Sequence, residues 1–518
     1  MDFEKEKAFK ACEKNIISWY PFDKKSKIVL MGTTSKEIID ELSLYSENIL
    51  VYNEKEKSTI EADYLIFLGI EKNKLELEKN ISKAKDILKP NGKMLIVFDN
   101  KYSIKNMSTD KGIEKIYNNN LYTLEEVLEL LDKNGLTNRK MYYPLNDYIF
   151  TNVIFTDYMP ISKSNVPRNI FYNENDTIKF FEENEMLNNI VENNVEMKKY
   201  ANSFLLEVFN GEVSENNIRL VAFSNMRKKQ YKIKTIVEKD NVYKYADNEE
   251  SKKHIEDIKK NIDVMQKIKL KTIDSYDEEK IVSQYINEET LDKKILKKID
   301  ENKNLAIALI KKYKEKLEEC LEITNDNSKN IFEKYSIKCS DELLNTMKFV
   351  KYGLWDLIFQ NCFYIDDEFY FYDQEWIEEN IPIEFIIYRA IYYLPLEKND
   401  KITHEELYEY FELTNEKIEL FKKLDEALQD KINNKLIWDF QRSGQTVEQI
   451  RLTYNHEINL LRSEVAQKNE QINDLVQENL KINNELNIIK SSRGWKAIEK
   501  IRNLRNKEGK KKWNQKLE

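Results

Sequence analysis

The 518-residue chain has few of the residues that build disulfides, metal centres and flexible linkers. It contains 4 cysteines and 3 histidines, and no cysteines have the C-x-x-C spacing of a zinc or redox motif. With 10 glycines and 7 prolines, long flexible linkers are not expected. The scarce, scattered cysteines predict reduced thiols in a cytosolic protein. The scarcity of histidine argues against a histidine-rich metal site.

The chain also lacks an overall excess of basic residues and a long apolar run. Its net charge of −9 argues against general nucleic-acid binding, which requires a basic surface. The longest apolar run, residues 385–394, contains Arg389 and is shorter than a bilayer span. No signal peptide is recognisable. We therefore expect a cytoplasmic protein that is at most peripheral at the inner face of the cell membrane.

The length predicts more than one domain, and the first of them alternates short apolar runs with helix-like segments. Strand candidates are residues 27–32, 48–53, 63–69 and 93–98. Strands that alternate with helices predict a parallel sheet covered by helices on its faces.

Several motifs of this region resemble a known family. The segment KAKDILKPNGKMLIVFDNKYSIK (residues 83–105) resembles class I S-adenosylmethionine-dependent methyltransferases. DNKY (99–102), YYPLNDY (142–148) and ANSFLLEV (201–208) further resemble a methyltransferase-like group found in bacterial surface-polysaccharide loci. The resemblance implies a Rossmann-like methyltransferase-like domain at residues 1–157, with residues 158–216 as a connecting segment associated with it.

This resemblance also implies a site for S-adenosylmethionine. A nucleoside cofactor binds beside a glycine-containing turn after the first strand and beside an acid that ends the second. The first turn offers Gly32 alone, and the second strand ends at Asn53 and Glu54. Asp63 is the candidate polar residue of a later loop. The alternative is a degenerate domain that keeps the fold without the cofactor.

A second mixed region runs from residue 217 to about residue 440. RLVAFSN, QYKIKTIVE and DNVYKYA predict three antiparallel strands, followed by a helix at about residues 249–267 and a strand at 280–286. Farther along, LWDLIFQNCFYIDDEFYFYDQEW (354–376) places three polar side chains around a strand–turn–strand. Their spacing can arise by chance, so the surrounding residues decide its meaning.

The three polar residues of that stretch fit phosphoryl transfer, which needs a carboxylate that positions the attacking hydroxyl, oxygen ligands for Mg²⁺ and a cation on the nucleotide phosphates. Asp356 fits the first role, and Asn361 and Asp373 fit the second. Lys244, on a strand about 110 residues upstream, fits the third.

The strand that ends near Tyr285 occupies the place of an adenine-binding hinge. Glu256 is a candidate ion-pair partner of Lys244, with Glu249, Glu250 or a solvated helix face as alternatives. In this order, residues 217–440 resemble the aminoglycoside phosphotransferase-like branch of the protein-kinase fold. The resemblance implies a bilobal kinase-like fold and Mg·ATP as cofactor.

Two features depart from that family. Leu354 stands where the family usually has a histidine two residues before the catalytic Asp. The phosphate loop at residues 224–227 lacks glycine. An aromatic hairpin without catalytic meaning is the alternative.

Residues 444–490 follow a heptad pattern. Apolar residues occupy the a and d positions at Ile458, Leu461, Val465, Ile472, Leu475, Ile482, Leu486 and Ile489, with Lys468 and Asn479 as polar exceptions. Charges at g and e, such as Glu457 with Arg462, can pair between helices. The pattern predicts a parallel coiled coil and a homo-oligomer, most simply a dimer; a single packed surface helix is the alternative.

Residues 491–518 form a basic amphipathic tail with ten Lys/Arg and three Asp/Glu. Its tryptophans and cations suit an anionic membrane surface, and a solubilising tail or an acidic protein partner are alternatives. The expected fold is multidomain, α/β plus α+β. The domain order resembles bifunctional kinase–methyltransferases that terminate O-antigen chains, which implies a glycan or lipid-linked glycan substrate and a glycosyltransferase partner. The rival hypotheses are a non-catalytic scaffold and a methyltransferase whose kinase-like part only binds substrate.

Overall fold

The computed structural model describes residues 7, 9–32, 35–52, 61–69, 74–118, 121–162, 165–166, 178–193, 196–213, 216–324, 330–396, 399–437 and 445–514. The chain divides into two compact units, Met1–Gly444 and Gln445–Glu518. No helix in these described segments is long and apolar enough to cross a membrane.

The first half of the larger unit alternates strands with helices. Its elements are β1 (Lys27–Gly32), α1 (Lys36–Leu42), β2 (Asn48–Val51), β3 (Ala62–Leu68), α2 (Lys74–Ile87), β4 (Leu88–Asp99), α3 (Ile104–Ser108), α4 (Asp110–Tyr117), α5 (Leu124–Lys133), β5 (Arg139–Leu145), β6 (Val153–Thr156), β7 (Ile178–Lys179), α6 (Glu183–Glu192) and β8 (Ser203–Phe209). Short 3₁₀ helices lie at Glu13–Ile16 and Met197–Lys199.

The apolar strands β1, β3 and β4 are buried on both faces. Val29 and Leu65 pack with residues of α2 and α5 on one face. Leu30 and Ile66, their neighbours in sequence, pack with residues of α1 on the other. Adjacent residues of a strand point to opposite faces, so uninterrupted apolar runs produce a sheet with a helical layer on each side.

The strand order identifies the type of this sheet. β2, β1, β3 and β4 are neighbours in that order, and all three pairs are parallel. The chain therefore passes from β1 to one side and returns on the other, a reversal typical of doubly wound, Rossmann-like sheets. This confirms the Rossmann-like prediction. β8, β5 and β6 extend the sheet with antiparallel pairs.

The second half begins where β6 pairs with the next strand. Its elements are β9 (Leu220–Phe223), β10 (Ile233–Val237), β11 (Asn241–Ala246), α7 (Lys252–Lys267), β12 (Asp274–Tyr276), β13 (Lys280–Gln284), α8 (Leu291–Glu301), α9 (Lys303–Cys320), β14 (Ile323–Thr324), α10 (Ile331–Lys334), α11 (Asp341–Leu344), β15 (Phe349–Val350), β16 (Gly353–Leu354), β17 (Cys362–Ile365), β18 (Glu368–Phe371), β19 (Ile377–Glu378), β20 (Ile381–Pro382), α12 (Ile383–Tyr392), α13 (His404–Tyr410) and α14 (Asn415–Ile432), with 3₁₀ turns at Lys229–Tyr231, Glu249–Ser251 and Phe359–Asn361.

This half has a β part and a helical part. The antiparallel strands run β9–β10–β11–β13–β12, which confirms the predicted strands and the helix after them. Buried residues of α8, α9, α12 and α14 form one large core with the β17–β18 hairpin. Val153 of β6 lies opposite Ala222 of β9, so both halves share one twelve-stranded sheet. No sequence prediction anticipated this junction.

The smaller unit contains β21 (Gln445–Thr446), α15 (Val447–Ser491) and α16 (Arg493–Asn514). At 1.5 Å per residue, the 45 residues of α15 span about 68 Å. The apolar heptad residues from Ile458 to Ile489 are all exposed in the single chain. Ser492 separates the two helices, and its hydroxyl accepts a hydrogen bond from the Trp495 amide at 3.2 Å.

Candidate functional site

A cavity of about 460 Å³ lies between the β9–β13 strands and the β17–β18 hairpin. Its walls are mainly apolar, with residues such as Ile233, Val242 and Ile273. Three residues singled out from the sequence, Lys244, Tyr285 and Asp373, line it. The structure therefore brings together residues that lie up to 129 positions apart in the chain.

Lys244, in the middle of β11, makes two ion pairs. Its ammonium group contacts the Asp373 carboxylate and lies 2.9 Å from Oε1 of Glu375. Of the alternatives considered for this helix, the solvated face holds for Glu256, which is mostly exposed and binds Lys259 one turn along α7 at 2.7 Å. Glu249 and Glu250 pair with Lys252 and Lys229. The partners of Lys244 come instead from the segment that follows the hairpin.

Glu375 is the buried centre of this charge cluster. Besides Lys244, it contacts Arg227, and Nε2 of His254 lies 3.2 Å from its Oε2. Burial alone would raise the pKa of Glu375, but the Arg227 and Lys244 cations hold it well below its ordinary value. Sequence reasoning missed this residue; the only local signal was a second acid two positions after Asp373.

The backbone at Asp373 is held in a left-handed conformation, with φ of 61°. Its N–H donates to Oδ2 of Asp274 at 2.9 Å, and the hydroxyl of Ser283 donates to the other oxygen at 2.6 Å. Burial raises the pKa of Asp274. Asp274 was not predicted as a site residue, although it fixes the direction in which Asp373 leaves the hairpin.

Asp356 lies in the loop after β16, beside Arg389. Burial raises the pKa of Asp356 to about 6, and the guanidinium of Arg389, 3.3 Å away, opposes the shift. Arg389 also pairs with Asp425 and donates from Nε to the Trp355 carbonyl at 2.8 Å. Leu354 is fully buried and points into the core. The charged neighbour of Asp356 is thus Arg389 of α12, whereas Leu354, two positions before Asp356, is apolar and buried.

Asn361 closes the loop that begins at Asp356. Its side-chain Nδ2 donates to the Asp356 carbonyl at 3.2 Å, and its own carbonyl accepts from the Tyr372 N–H at 3.1 Å. Asp366 and Asp367 both have positive φ, at the turn predicted between the two strands. Among the described residues, no group of three or more His, Cys, Asp or Glu could hold a metal ion. Asn361 and Asp373 as metal ligands therefore stay a prediction.

The glycine-free loop at residues 224–232 is hydrogen-bonded to two other parts of the larger unit. Asn225 is buried, and its amide exchanges hydrogen bonds with Asn15, the Thr151 carbonyl and Asn152, each at 2.8 Å. The Lys228 N–H donates to the Ile432 carbonyl at 2.8 Å. We call residues 224–232 the roof loop. Its hydrogen bonds attach it to the Rossmann-like half and to the end of α14.

Of the cofactor residues predicted for the Rossmann-like half, the two that the structure describes, Gly32 and Asp63, lie at opposite edges of the sheet. Gly32 ends β1 at the strand-order reversal, with φ of 90°. A cavity of about 170 Å³ lies at that edge, and Ser35, Leu68 and Tyr148 are among the residues that line it. Asn53 and Glu54 lie outside the described residues.

Asp63 lies at the opposite, amino-terminal edge of the sheet. It accepts the Lys27 N–H at 2.7 Å and pairs with Lys89 at 2.8 Å. Those two contacts hold the pKa of Asp63 below its ordinary value even though burial opposes the shift. Parallel strands carry their ligands at the carboxyl edge, so this position does not favour Asp63 as a cofactor contact, and that role stays a prediction.

An acidic residue that sequence reasoning did not select lies at the carboxyl edge. Asp99 ends β4 and accepts a hydrogen bond from the Ser203 hydroxyl at 2.6 Å. Burial raises the pKa of Asp99 to about 6; Lys105 opposes the shift and Asp147 adds to it. Lys105 and Asp147 form an ion pair of 2.7 Å. The sequence signal for Asp99 was its position at the end of a predicted strand, as the first residue of the motif DNKY.

No protein-family model matches the chain, and no curated protein shows a significant match. Several solved structures align with about two-fifths of it. A SAM-dependent methyltransferase from Thermotoga maritima is 11% identical with a TM-score of 0.22, covering 40% of this chain and 92% of that protein. One from Archaeoglobus fulgidus is 10% identical with a TM-score of 0.25, covering 40% and 94%. One from Mesorhizobium loti is 8% identical with a TM-score of 0.21, covering 38% and 97%. Such TM-scores do not carry a fold assignment, so the Rossmann-like description depends on the strand order.

Proposed function

We propose that the larger unit binds Mg·ATP in the 460 Å³ cavity and transfers a phosphoryl group to a hydroxyl of a glycan or lipid-linked glycan. The observation that carries this proposal is that Lys244 and Asp373 meet at one cavity, next to the loop that holds Asp356 and Asn361. An ammonium group, two carboxylates and an amide are the side-chain types that phosphoryl transfer uses.

The residues around the cavity suit a magnesium nucleotide. The volume falls within the usual range of small-molecule sites, about 300–1,000 Å³, and the apolar wall suits a planar base. Tyr285 lies at the strand end, with the Arg219 guanidinium 5.4 Å from its ring centre. Lys244 would hold phosphate oxygens, and Asp373 and Asn361 would hold the metal. Bound Mg·ATP would supply the phosphoryl group and divalent charge.

Asp356 would accept the proton of the acceptor hydroxyl. With a pKa of about 6, it is mostly ionised at neutral pH and still basic enough to take a proton. Arg389 would orient this carboxylate, the role that the resemblance gives to a histidine. Glu375 would keep Lys244 and Arg227 in place at the cavity wall.

Calorimetric titration of the full-length protein with Mg·ATP tests this proposal. We expect binding to the wild-type protein and its loss in Asp373→Asn. Asp367→Asn is the matched control, because both aspartates have positive φ, 61° and 66°, which asparagine tolerates. Absence of Mg·ATP binding to folded wild-type protein would contradict the proposal. Binding without phosphoryl transfer to any glycan acceptor would favour the alternative of a pseudokinase-like domain.

For the Rossmann-like half we propose S-adenosylmethionine as ligand and methylation of the glycan as activity. The strand reversal and the turn at Gly32 support this, because such crevices hold nucleoside cofactors. Titration with S-adenosylmethionine tests it, with Gly32→Val as the variant that should lose binding. Failure of wild-type protein to bind would favour a degenerate, structural domain.

A non-catalytic scaffold that organises glycosyltransferases is the second candidate. It is favoured by the roof loop, which is held by Asn225 and Lys228, and by the Lys244–Asp373 ion pair that occupies both groups. A scaffold predicts that Asp373→Asn leaves glycan production in cells unchanged. A phosphotransferase predicts that the same variant abolishes glycan modification.

The smaller unit would bring copies of the protein together at the cytoplasmic membrane face. We propose that α15 pairs in parallel with α15 of another copy, because a continuous 45-residue helix exposes its apolar heptad positions. Truncation after Gln441 should then give a monomer in sedimentation; an unchanged oligomer would refute the pairing. For α16 we propose contact with anionic lipid, tested by co-sedimentation with anionic vesicles at low and high salt.

A further inference from the structure

A second and larger cavity, of about 850 Å³, adjoins the first. It lies between α7, α10 and the segment after the hairpin, and Glu375 lines both cavities. None of the site residues predicted from the sequence lines it. Its volume is in the upper part of the range for small-molecule sites.

Three aromatic side chains bring neutral hydrogen-bond donors to this cavity. They are Tyr231, Tyr352 and Trp376. Among the described residues, the two hydroxyls and the indole N–H have no hydrogen-bond partner. Trp376 is only 8% exposed. The indole N–H is not one of the buried side-chain atoms without a partner, so it is open to water from the cavity and can donate to an acceptor there. A ligand oxygen at this wall would satisfy it.

The cavity also presents acceptors without partners. Among the described residues, the carboxylates of Glu333 and Glu379 make no ion pair and accept no side-chain hydrogen bond. The cations around them are occupied: Lys260 pairs with Asp257, and Lys334 and Lys431 both pair with Glu378. The cavity therefore offers free anionic acceptors and neutral donors, and no free cation among the described residues that line it.

These donors and acceptors favour one chemical class of ligand. A phosphate or carboxylate ligand would meet repulsion from Glu333 and Glu379 without a free cation to bind it. A polyhydroxylated neutral ligand both donates to carboxylates and accepts from O–H and N–H groups. The Trp376 ring already stacks with His254 at 4.5 Å and Trp355 at 6.0 Å, so the ligand would meet its N–H edge.

We propose that this cavity is a second binding site, which holds a neutral sugar ring through Trp376, Tyr352 and Glu333. Lys244 and Asp373, which line the nucleotide cavity, do not line this one, so the bound ring lies outside the proposed nucleotide site. The site would anchor a glycan next to the nucleotide cavity, and that link to a glycan substrate rests on the proposed function.

Saturation-transfer NMR on the full-length protein tests the site, with glucose, galactose and mannose as neutral probes, glucosamine as a cationic probe and glucose 6-phosphate as an anionic probe. We expect saturation transfer to at least one neutral hexose and weaker transfer to glucose 6-phosphate. Tyr352→Phe and Glu333→Gln should each weaken binding about threefold to tenfold, as the loss of one hydrogen bond does. Tyr410→Phe and Glu342→Gln, both at exposed positions, are the matched controls and should bind as wild type does.

Three results would overturn this inference: no transfer to any neutral hexose, tighter binding of the cationic or anionic probe, or wild-type affinity in both cavity variants. Mg·ATP titration of the same sample separates the two proposals. Sugar binding without Mg·ATP binding refutes the phosphotransferase and keeps this site, whereas Mg·ATP binding without sugar binding refutes this site alone. Lys244→Met should lose Mg·ATP and keep the sugar.

Discussion

Replacing Glu375 with glutamine removes one negative charge from a buried cluster while keeping the shape of the side chain. The Glu375 side chain is 2% exposed and contacts Lys244, Arg227 and His254. In the Glu375→Gln variant, Lys244 keeps its contact with Asp373. Arg227 is left with the Tyr231 carbonyl and the Trp376 ring. Lys244 would then keep one carboxylate partner, and Arg227 would keep none among the described residues.

The expected loss of unfolding free energy follows from the burial of Glu375. Breaking a buried ion pair by removing one partner costs about 3–5 kcal/mol of unfolding free energy. The Arg227 side chain is 23% exposed and can partly rehydrate, so we expect the lower end, about 3 kcal/mol. A loss of about 3 kcal/mol lowers the melting temperature by roughly 6–12 °C in a domain of about 150–250 residues, and by less if the whole larger unit unfolds together.

The pH dependence gives a second signature of the same change. Because the folded-state pKa of Glu375 is lowered, its stabilising contribution is present above its ordinary pKa of 4.5 and is lost as pH falls. The difference between wild type and Glu375→Gln should therefore be full at pH 7 and shrink in strong acid.

Urea unfolding at pH 7, followed by tryptophan fluorescence and circular dichroism, measures this effect. Glu342→Gln, an exposed glutamate on α11, is the control and should stay within about 0.5 kcal/mol of wild type. Combining Glu375→Gln with Lys244→Met should cost less than the sum of the two single changes, since each charge balances the other. Wild-type stability of Glu375→Gln, or strictly additive costs, would refute this account of the cluster.

Three further changes test other parts of the molecule. Under the proposed function, Asp356→Asn should abolish phosphoryl transfer. At pH 8 it should also raise the unfolding free energy by about 2–3 kcal/mol, because the pKa of the wild-type carboxyl is raised to about 6 and its ionisation costs stability as pH rises through that value. At pH 4, wild type and Asp356→Asn should be equally stable in urea. A difference in unfolding free energy that does not widen as pH rises would contradict the reasoning. Asn225→Ala should cost about 2–4 kcal/mol and speed hydrogen exchange in the roof loop, because it leaves buried partners unpaired; protection equal to wild type would show that the loop is held elsewhere. Gly32→Ala should lower stability by about 1–3 kcal/mol, since its φ is 90° and the new Cβ would lie 3.1 Å from the Leu68 carbonyl. Gly494→Ala, which meets nothing within 4 Å, is its control in thermal unfolding.

Local patterns predicted the elements of this protein well. The apolar runs at β1, β3 and β4 predicted a buried parallel sheet, and alternation with helices predicted its two covered faces. The turn Asp366–Asp367 predicted the hairpin that follows the Asp356 loop. These features depend on neighbouring residues, which a sequence displays directly.

The arrangement of the site could not be predicted from such local patterns. Asp63 was selected for its place beside an apolar run, but the sequence could not tell which edge of the sheet it occupies. Glu256 was selected because α7 follows the strand of Lys244, yet its side chain points to solvent. The actual partners, Glu375 and Asp373, lie some 130 residues farther along the chain. Charge patterns along one helix do not encode contacts of that range.

By itself, the sequence determined the order of strands and helices, the buried character of the parallel sheet, the long heptad helix and the chemical identity of Lys244, Asp356, Asn361 and Asp373. The physical reason is that periodicity and turn chemistry act over a few residues. Only the tertiary structure decided that both halves share one sheet, that Arg389 faces Asp356 and that Glu375 joins two cavities. Those contacts depend on how distant segments are brought together when apolar surface is buried, and many side chains on each segment are chemically able to make them.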